Sequence, residues 1–300
     1  MIDRVEQDFQ KLEELYHGRG KERQAIEAYR VFLSENENYV KAWINLGILL
    51  YQAGEIYEAI QCFQKVIKRS PDLAEGWRLK AMVLGDLNRS QLPAYSQLQH
   101  LRDTYKQIYS SIKALQKDLL FCYEQVMKLD TEADEHEHQV MLRNKAEILE
   151  QLGKHKESLA IYLELLQRET VERQRNSYRL SISRQYEAMK KWNQAIEVLD
   201  PLIDAGEFHL LLDKASILTR MRKKKEAEEL RTLFLKEVDL KYEETRDVSY
   251  IFRKAFGYEQ MGEYQKAVDT LDGLLNSGIK MSLRQTADAK DHILRLKKNI

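Results

Sequence analysis

Between Val40 and Pro71 the chain reads VKAWINLGILLYQAGEIYEAIQCFQKVIKRSP, and the order of side-chain sizes in that stretch leaves few folds open. With Val40 as position 1, Trp43 stands at position 4, Leu46 at 7, Gly47 at 8, Ala59 at 20, Phe63 at 24 and Pro71 at 32. Apolar residues recur at helical spacing on both sides of Gly54. A glycine there suits the left-handed conformation that closes a helix, and Pro71 stops the helix that follows. Small Gly47 and Ala59 let two antiparallel helices approach closely, while Trp43, Leu46 and Phe63 fill the space between them. One such hairpin cannot bury its own apolar face, so it needs neighbours of the same build.

This set of positions resembles the tetratricopeptide (TPR) repeat, a helix–turn–helix unit of about 34 residues. The resemblance implies an all-α fold: a right-handed superhelical solenoid of TPR hairpins. The same frame extends over nearly the whole chain, read as one solenoid over residues 1–300. Residues 6–39 fit with Phe9, Leu12, Tyr16, Ala25, Tyr29 and Phe32, although Glu13 takes the small-residue position. Residues 40–73 are the second repeat, and a third opens at Ala74 with Trp77, Ala81 and Leu84. Pro93 then breaks the frame, which recovers near Leu119 and Tyr123, so the third repeat spans 74–133 with an insertion at 90–116. Apolar residues Leu98, Leu101, Tyr105, Ile108, Ile112, Leu115 and Leu119 give the inserted stretch a helical stripe. It reads as one long helix or as two that break near Asp103-Thr104 or Ser110-Ser111. Further repeats fall at 139–172, 176–207, 208–241 and 248–281, with Arg222 where the turn glycine of the sixth should stand. Pro201 inside the fifth is expected to kink or shorten its helix. Residues 282–300 read as an amphipathic C-terminal capping helix with Leu283, Ala287, Ile293 and Leu296 on its apolar side.

Composition narrows the function classes. The 300 residues carry equal numbers of acidic and basic side chains, so no net positive charge points to nucleic acid or a membrane surface. No run of apolar residues is long enough to span a bilayer, and no apolar leader follows Met-Ile-Asp-Arg, so a cytoplasmic location is expected. Cys62 and Cys122 both sit beside the aromatic position of a second helix and read as buried thiols. No phosphate-binding glycine loop, nucleophile elbow or zinc-protease motif is present, so the expectation is a chain without catalysis or cofactor. His17-Gly18-Arg19-Gly20 reads as a turn. Asp130 to His138 gathers carboxylates with His136 and His138, but residues two apart do not share a helix face, and a charged connector accounts for the composition. The basic run Arg220, Arg222, Lys223, Lys224 and Lys225 reads as a solvated turn at a helix C-terminus.

In the family's superhelix, positions 2, 5, 6, 9, 12 and 13 of each repeat line the concave groove. The resemblance therefore implies a peptide-binding groove lined by Lys41, Asn45, Ile48, Tyr51, Arg78, Met82, Arg143, Asn144, Arg184, Phe252, Arg253 and Phe256, and the same positions also include Glu187, Asp213 and Arg220. Asn45 and Asn144 both occupy position 6, where an amide can donate to and accept from a ligand backbone at once. Some family members clamp an acidic chaperone tail there. This chain keeps only Asn45 of that clamp, and Glu14 and Glu75 would repel carboxylates. A mixed-character protein or peptide segment is the expected ligand. An alternative is an auxiliary subunit wrapping a catalytic partner, because residues 139–241 are loosely similar to the auxiliary subunit of N-terminal acetyltransferase complexes. A homo-oligomer through the inserted stripe is the other alternative.

Overall fold

The structure is a computed structural model and describes residues 4–16, 20–90, 105–106, 108–130 and 134–300. Among the described residues fifteen α-helices have defined bounds and there is no strand. The residues gather into two compact units, Met1–Ile161 and Tyr162–Ile300.

The first unit holds α1 (Arg4–Tyr16), α2 (Glu22–Glu35), α3 (Val40–Gln52), α4 (Ile56–Arg69), α5 (Ala74–Ser90), α6 (Ile112–Leu129), α7 (Glu135–Gln151) and the start of α8 (His155–Arg168). The spacing that set the repeat frame works as size complementarity. A Cβ on Gly47 would lie 2.5 Å from Cε1 of Phe63, so only glycine admits that ring between α3 and α4. Their hairpin closes at Gly54, whose φ of 82° is open to glycine at no steric cost. There the Gly54 N–H donates to the Tyr51 carbonyl and the Glu55 N–H to the Leu50 carbonyl. This crossed pair ends a helix by satisfying its last carbonyls. At the chain start Phe9 is fully buried against the rings of Tyr39, Phe32 and Tyr29, with centroids 4.6, 6.0 and 6.3 Å away.

The insertion is not one continuous helix. Ser111 has extended backbone (φ −161°, ψ 154°) and its side chain accepts the Ala114 N–H, so α6 starts there with an N-cap. The break falls at Ser110-Ser111, one of the two places expected. Residues 91–104 and 107, which include the frame-breaking Pro93 and Leu98 and Leu101 of the expected stripe, lie outside the described residues. The described part turns its apolar side inward. Tyr105 is buried in the first unit's core, and Ile108 and Tyr109 pack on it. The Tyr109 hydroxyl donates to Asp118 at 2.5 Å, and Asp118 also receives the buried Lys80 ammonium at 2.8 Å. Burial and the adjacent Asp118 carboxylate both push the Tyr109 hydroxyl's pKa far up. An amide trio joins three helices: Asn88 of α5 and Gln116 of α6 each donate to Gln151 of α7, at 2.9 Å.

The second unit contains the rest of α8, then α9 (Glu172–Ala188), α10 (Trp192–Asp204), α11 (Leu210–Arg220), α12 (Lys224–Thr245), α13 (Ser249–Gln260), α14 (Tyr264–Asn276) and α15 (Leu283–Leu296). The crossed hydrogen bonds of the repeat turn recur at Lys190, Arg222 and Gly262. Lys190 (φ 58°) and Arg222 (φ 63°) hold the left-handed conformation in spite of their Cβ atoms, so the turn survives the loss of its glycine. α10 continues through Pro201 and ends at Asp204. The capping helix begins with a reciprocal pair in which Ser282 and Gln285 each cap the other's backbone N–H. Its apolar side differs from the sequence expectation. Ala289, Ile293 and Leu296 are buried, whereas Leu283 is 92% exposed and Ala287 is also exposed. Leu283 is the first helical residue, a full turn before the stripe that meets α14. His292 ties α15 to α13 through Glu259 at 2.8 Å.

A serine hydroxyl fixes two hairpins in register. In one, Ser158 at position 20 donates to the carbonyl of Ala146 at position 8, 2.9 Å away. In the next, Ser183 at position 8 donates to the carbonyl of Ala195 at position 20, at 3.0 Å. Cys62 and Cys122 are free, buried thiols, and burial raises both to about 12. Among the described residues no helix is long and apolar enough to cross a membrane.

Candidate functional site

The first helices of the fifth, sixth and seventh repeats, α9, α11 and α13, stand side by side in the second unit and bound two clefts. One, of about 470 Å³, is lined by His209, Leu212, Asp213, Ser216, Phe234, Arg253, Phe256 and Gln260. All of these except Phe234 stand at inner-face positions of the repeat: 2, 5, 6 and 9 in the sixth, and 6, 9 and 13 in the seventh. Helical geometry brings them together because residues three and four apart share a face. The other cleft, of about 280 Å³, is lined by Leu180, Ser183, Arg184, Glu187, Leu199, His209, Leu210 and Asp213. His209 and Asp213 belong to both, so the two clefts meet at α11.

The site mixes apolar floor and charge. Phe256 leaves 47% of its surface to solvent, an unusual exposure for so large an apolar side chain, and Phe234 beneath is buried. Arg253 stacks its guanidinium over the rings of Tyr250 and Phe208, at 5.4 and 5.9 Å. Glu187 is held by Arg220 at 2.8 Å. Desolvation nevertheless raises the Glu187 carboxyl above its ordinary pKa, against the pull of Arg220. Asp213 is reached by solvent, yet the walls of the clefts thin the water around it. Desolvation raises its carboxyl as well, with His209 and Arg184 pulling the other way. Arg184 reaches only its own helix, the Leu180 carbonyl and the Ser181 hydroxyl, each at 3.4 Å.

Of the residues expected in the groove, the structure thus brings Arg184, Arg253 and Phe256 to these linked clefts. Phe252 is half-buried and packs instead on the Ala255, Ala267 and Leu271 core. In the first unit several of the expected groove residues are engaged with other side chains of the unit. Lys41 pairs with Glu13 at 2.8 Å and lies over the Phe9 ring. Asn45 donates to the Tyr29 hydroxyl at 2.9 Å. Tyr51 donates to Asp86, and burial and that carboxylate raise its hydroxyl to about 12. Ile48 is half-buried against the core, and Met82 is 41% exposed. Arg143 and Asn144 are half-buried. Arg78 pairs with Asp130 and opens a separate, mainly apolar cleft of about 310 Å³ with Val126, Met127, His136, His138, Val140 and Met141. Asp134 of the acidic connector caps α7 by accepting the Glu137 N–H. Among the described residues no three metal-binding side chains converge. His209 was missed by the sequence reading, though it stands at position 2, one of the inner-face positions.

These hairpins, their turns and their inner-face clefts define a helical-repeat protein. Residues 40–73 match the family model of the tetratricopeptide repeat, and the hairpins around them are built on the same frame. No curated protein sequence matches it. Among solved structures, it is similar to a tetratricopeptide repeat protein from Parabacteroides merdae, at 11% identity over 98% of both chains with a TM-score of 0.48. It is also similar to the Naa15/Naa10 structure bound to HypK-THB, at 13% identity and a TM-score of 0.45; the match takes in 98% of this chain and 39% of that one. A third likeness is to YrrB, described as a TPR protein with an unusual peptide-binding site, at 14% identity over 70% of this chain and 92% of that one, with a TM-score of 0.41.

Proposed function

We propose that this chain is a non-enzymatic binding protein that holds a protein or peptide segment along the inner-face clefts of α9, α11 and α13. The observation that carries the reading is the coincidence of seven inner-face positions on one cleft of about 470 Å³ with a half-exposed phenylalanine at its mouth. An aromatic anchor flanked by a few polar groups is the composition that concentrates binding energy in protein recognition. The charges of both signs suit a segment of mixed character better than a uniformly acidic tail.

The test uses the intact chain to select binders from a displayed library of random twelve-residue peptides, followed by fluorescence anisotropy on the selected peptides. Phe256→Ala is expected to weaken them about tenfold, the cost of truncating one well-placed anchor. Selected peptides that bind the natural chain and Phe256→Ala equally well would place recognition elsewhere.

A further inference from the structure

The inner face of the second unit presents three charges in order along consecutive first helices: Arg184 on α9, Asp213 on α11 and Arg253 on α13. Among the described residues none of the three forms a close ion pair, although Arg184 and His209 lie near enough to Asp213 to act on its carboxyl. Arg184 makes long hydrogen bonds within its own helix and Arg253 lies on aromatic rings, while Asp213 forms no side-chain hydrogen bond with another described residue. The charges around them are matched: Glu187 with Arg220, Lys214 with Asp200 at 2.6 Å, and Lys254 with Asp239 at 2.7 Å. His209, the other group common to both clefts, faces Glu207 at 3.4 Å. Asp213, the carboxylate that both clefts share, has no such close pair.

We propose that the bound segment seats a lysine or arginine side chain on Asp213, with carboxylates of the same segment meeting Arg184 and Arg253 on either side and an apolar side chain against Phe256. This rests on the reading of the clefts as a protein-binding site and names the segment that fits it. An acidic tail would meet two guanidinium groups but also the Asp213 carboxylate between them. A purely basic tail would meet one carboxylate and be repelled twice. Alternation of sign in the ligand satisfies all three, and charge placement of this kind selects partners by penalising the wrong ones. Asp213 gains more from a cation than an open-surface carboxylate does, because the cleft walls have already removed part of its water.

The experiment selects the same twelve-residue library on the natural chain and on Asp213→Lys, with circular dichroism confirming that the variant is folded. The natural chain is expected to enrich peptides with a Lys or Arg between acidic residues. The best of these should lose about tenfold in affinity on the isosteric Asp213→Asn and more on Asp213→Lys. Replacing the peptide's basic residue by Glu should then restore binding to Asp213→Lys. If the enriched peptides lack a basic residue and bind Asp213→Asn unchanged while still weakening on Phe256→Ala, the cation seat is overturned and the cleft reading stands. Peptides indifferent to all three variants overturn both.

Discussion

At Gly47 a single missing methyl group decides how close α3 and α4 come. The Phe63 ring that fills the gap is fully buried and has nowhere to retreat. Gly47→Ala should therefore destabilise the chain by about 1–3 kcal/mol in urea titration, even though alanine is the better helix former by about 1 kcal/mol. Unchanged stability would mean that the hairpin opens at little cost. Asp213 makes the opposite case, a residue whose partial desolvation by the cleft walls costs stability. Its folded-state pKa is raised, so the folded chain holds that proton more tightly than the unfolded chain does. Stability is then lost as pH rises from the unfolded aspartate range, about 3.9, through the raised folded value, and the whole cost is present at neutral pH. Asp213→Asn is expected to melt at a higher temperature than the natural chain at neutral pH, with the gap closing below about pH 4. Equal melting temperatures at neutral pH would contradict it. Positions such as Gly47, Arg184 and Phe256 were legible in the sequence because the repeat frame assigns each number a face. That Asp213 forms no close ion pair was not, since it depends on where every neighbouring charged side chain finds its partner.

Elements were legible where the frame counted them and obscure where it did not. The insertion carries a helical stripe whether the helix is continuous or broken, because an apolar period records the faces of helices and not the joints between them. Only the serine pair marked the break, and Ser111 alone does the capping. Ser111→Ala should cost about 1 kcal/mol of stability, visible as faster amide exchange in the first turn of α6. Protection unchanged there would show that Tyr105 and Tyr109, anchored in the core and on Asp118, hold the segment without its cap. The capping helix shows the other limit. Past the seventh repeat there is no frame to count from, and Leu283 was assigned to an apolar side that begins a full turn later. The turn at Arg222 shows that a missing glycine need not mean a missing hairpin, because the same crossed hydrogen bonds form there.

Among the described residues, helices that follow each other in sequence pack against each other, as α3 does on α4 and α13 on α14. Stability in such an array is a sum over hairpins and their neighbours, which weakens the all-or-none character of unfolding. Trp43 and Trp77 lie in one compact unit and Trp192 in the other. A Trp43→Phe/Trp77→Phe variant reports on Trp192 alone. Its fluorescence midpoint in urea is expected to differ from the midpoint of the far-ultraviolet circular dichroism. Coincident curves would show a single cooperative transition. The all-helical architecture at this scale was already fixed by the size order of one stretch, Val40 to Pro71, repeated with variations. What the repeat frame does not encode is which of its many inner-face positions find a close partner elsewhere in the chain, as Lys41, Asn45, Tyr51 and Arg78 do in the first unit.

The serine locks at Ser158 and Ser183 have a consequence for how such a chain drifts. The hydroxyl comes from position 20 in one hairpin and from position 8 in the other, and each time the opposite alanine lends its carbonyl. The two positions thus act as one unit of inheritance, with a serine on either side meeting the same need. Across descendants of this chain, neither position will look invariant by itself, and the signal will lie in their covariation.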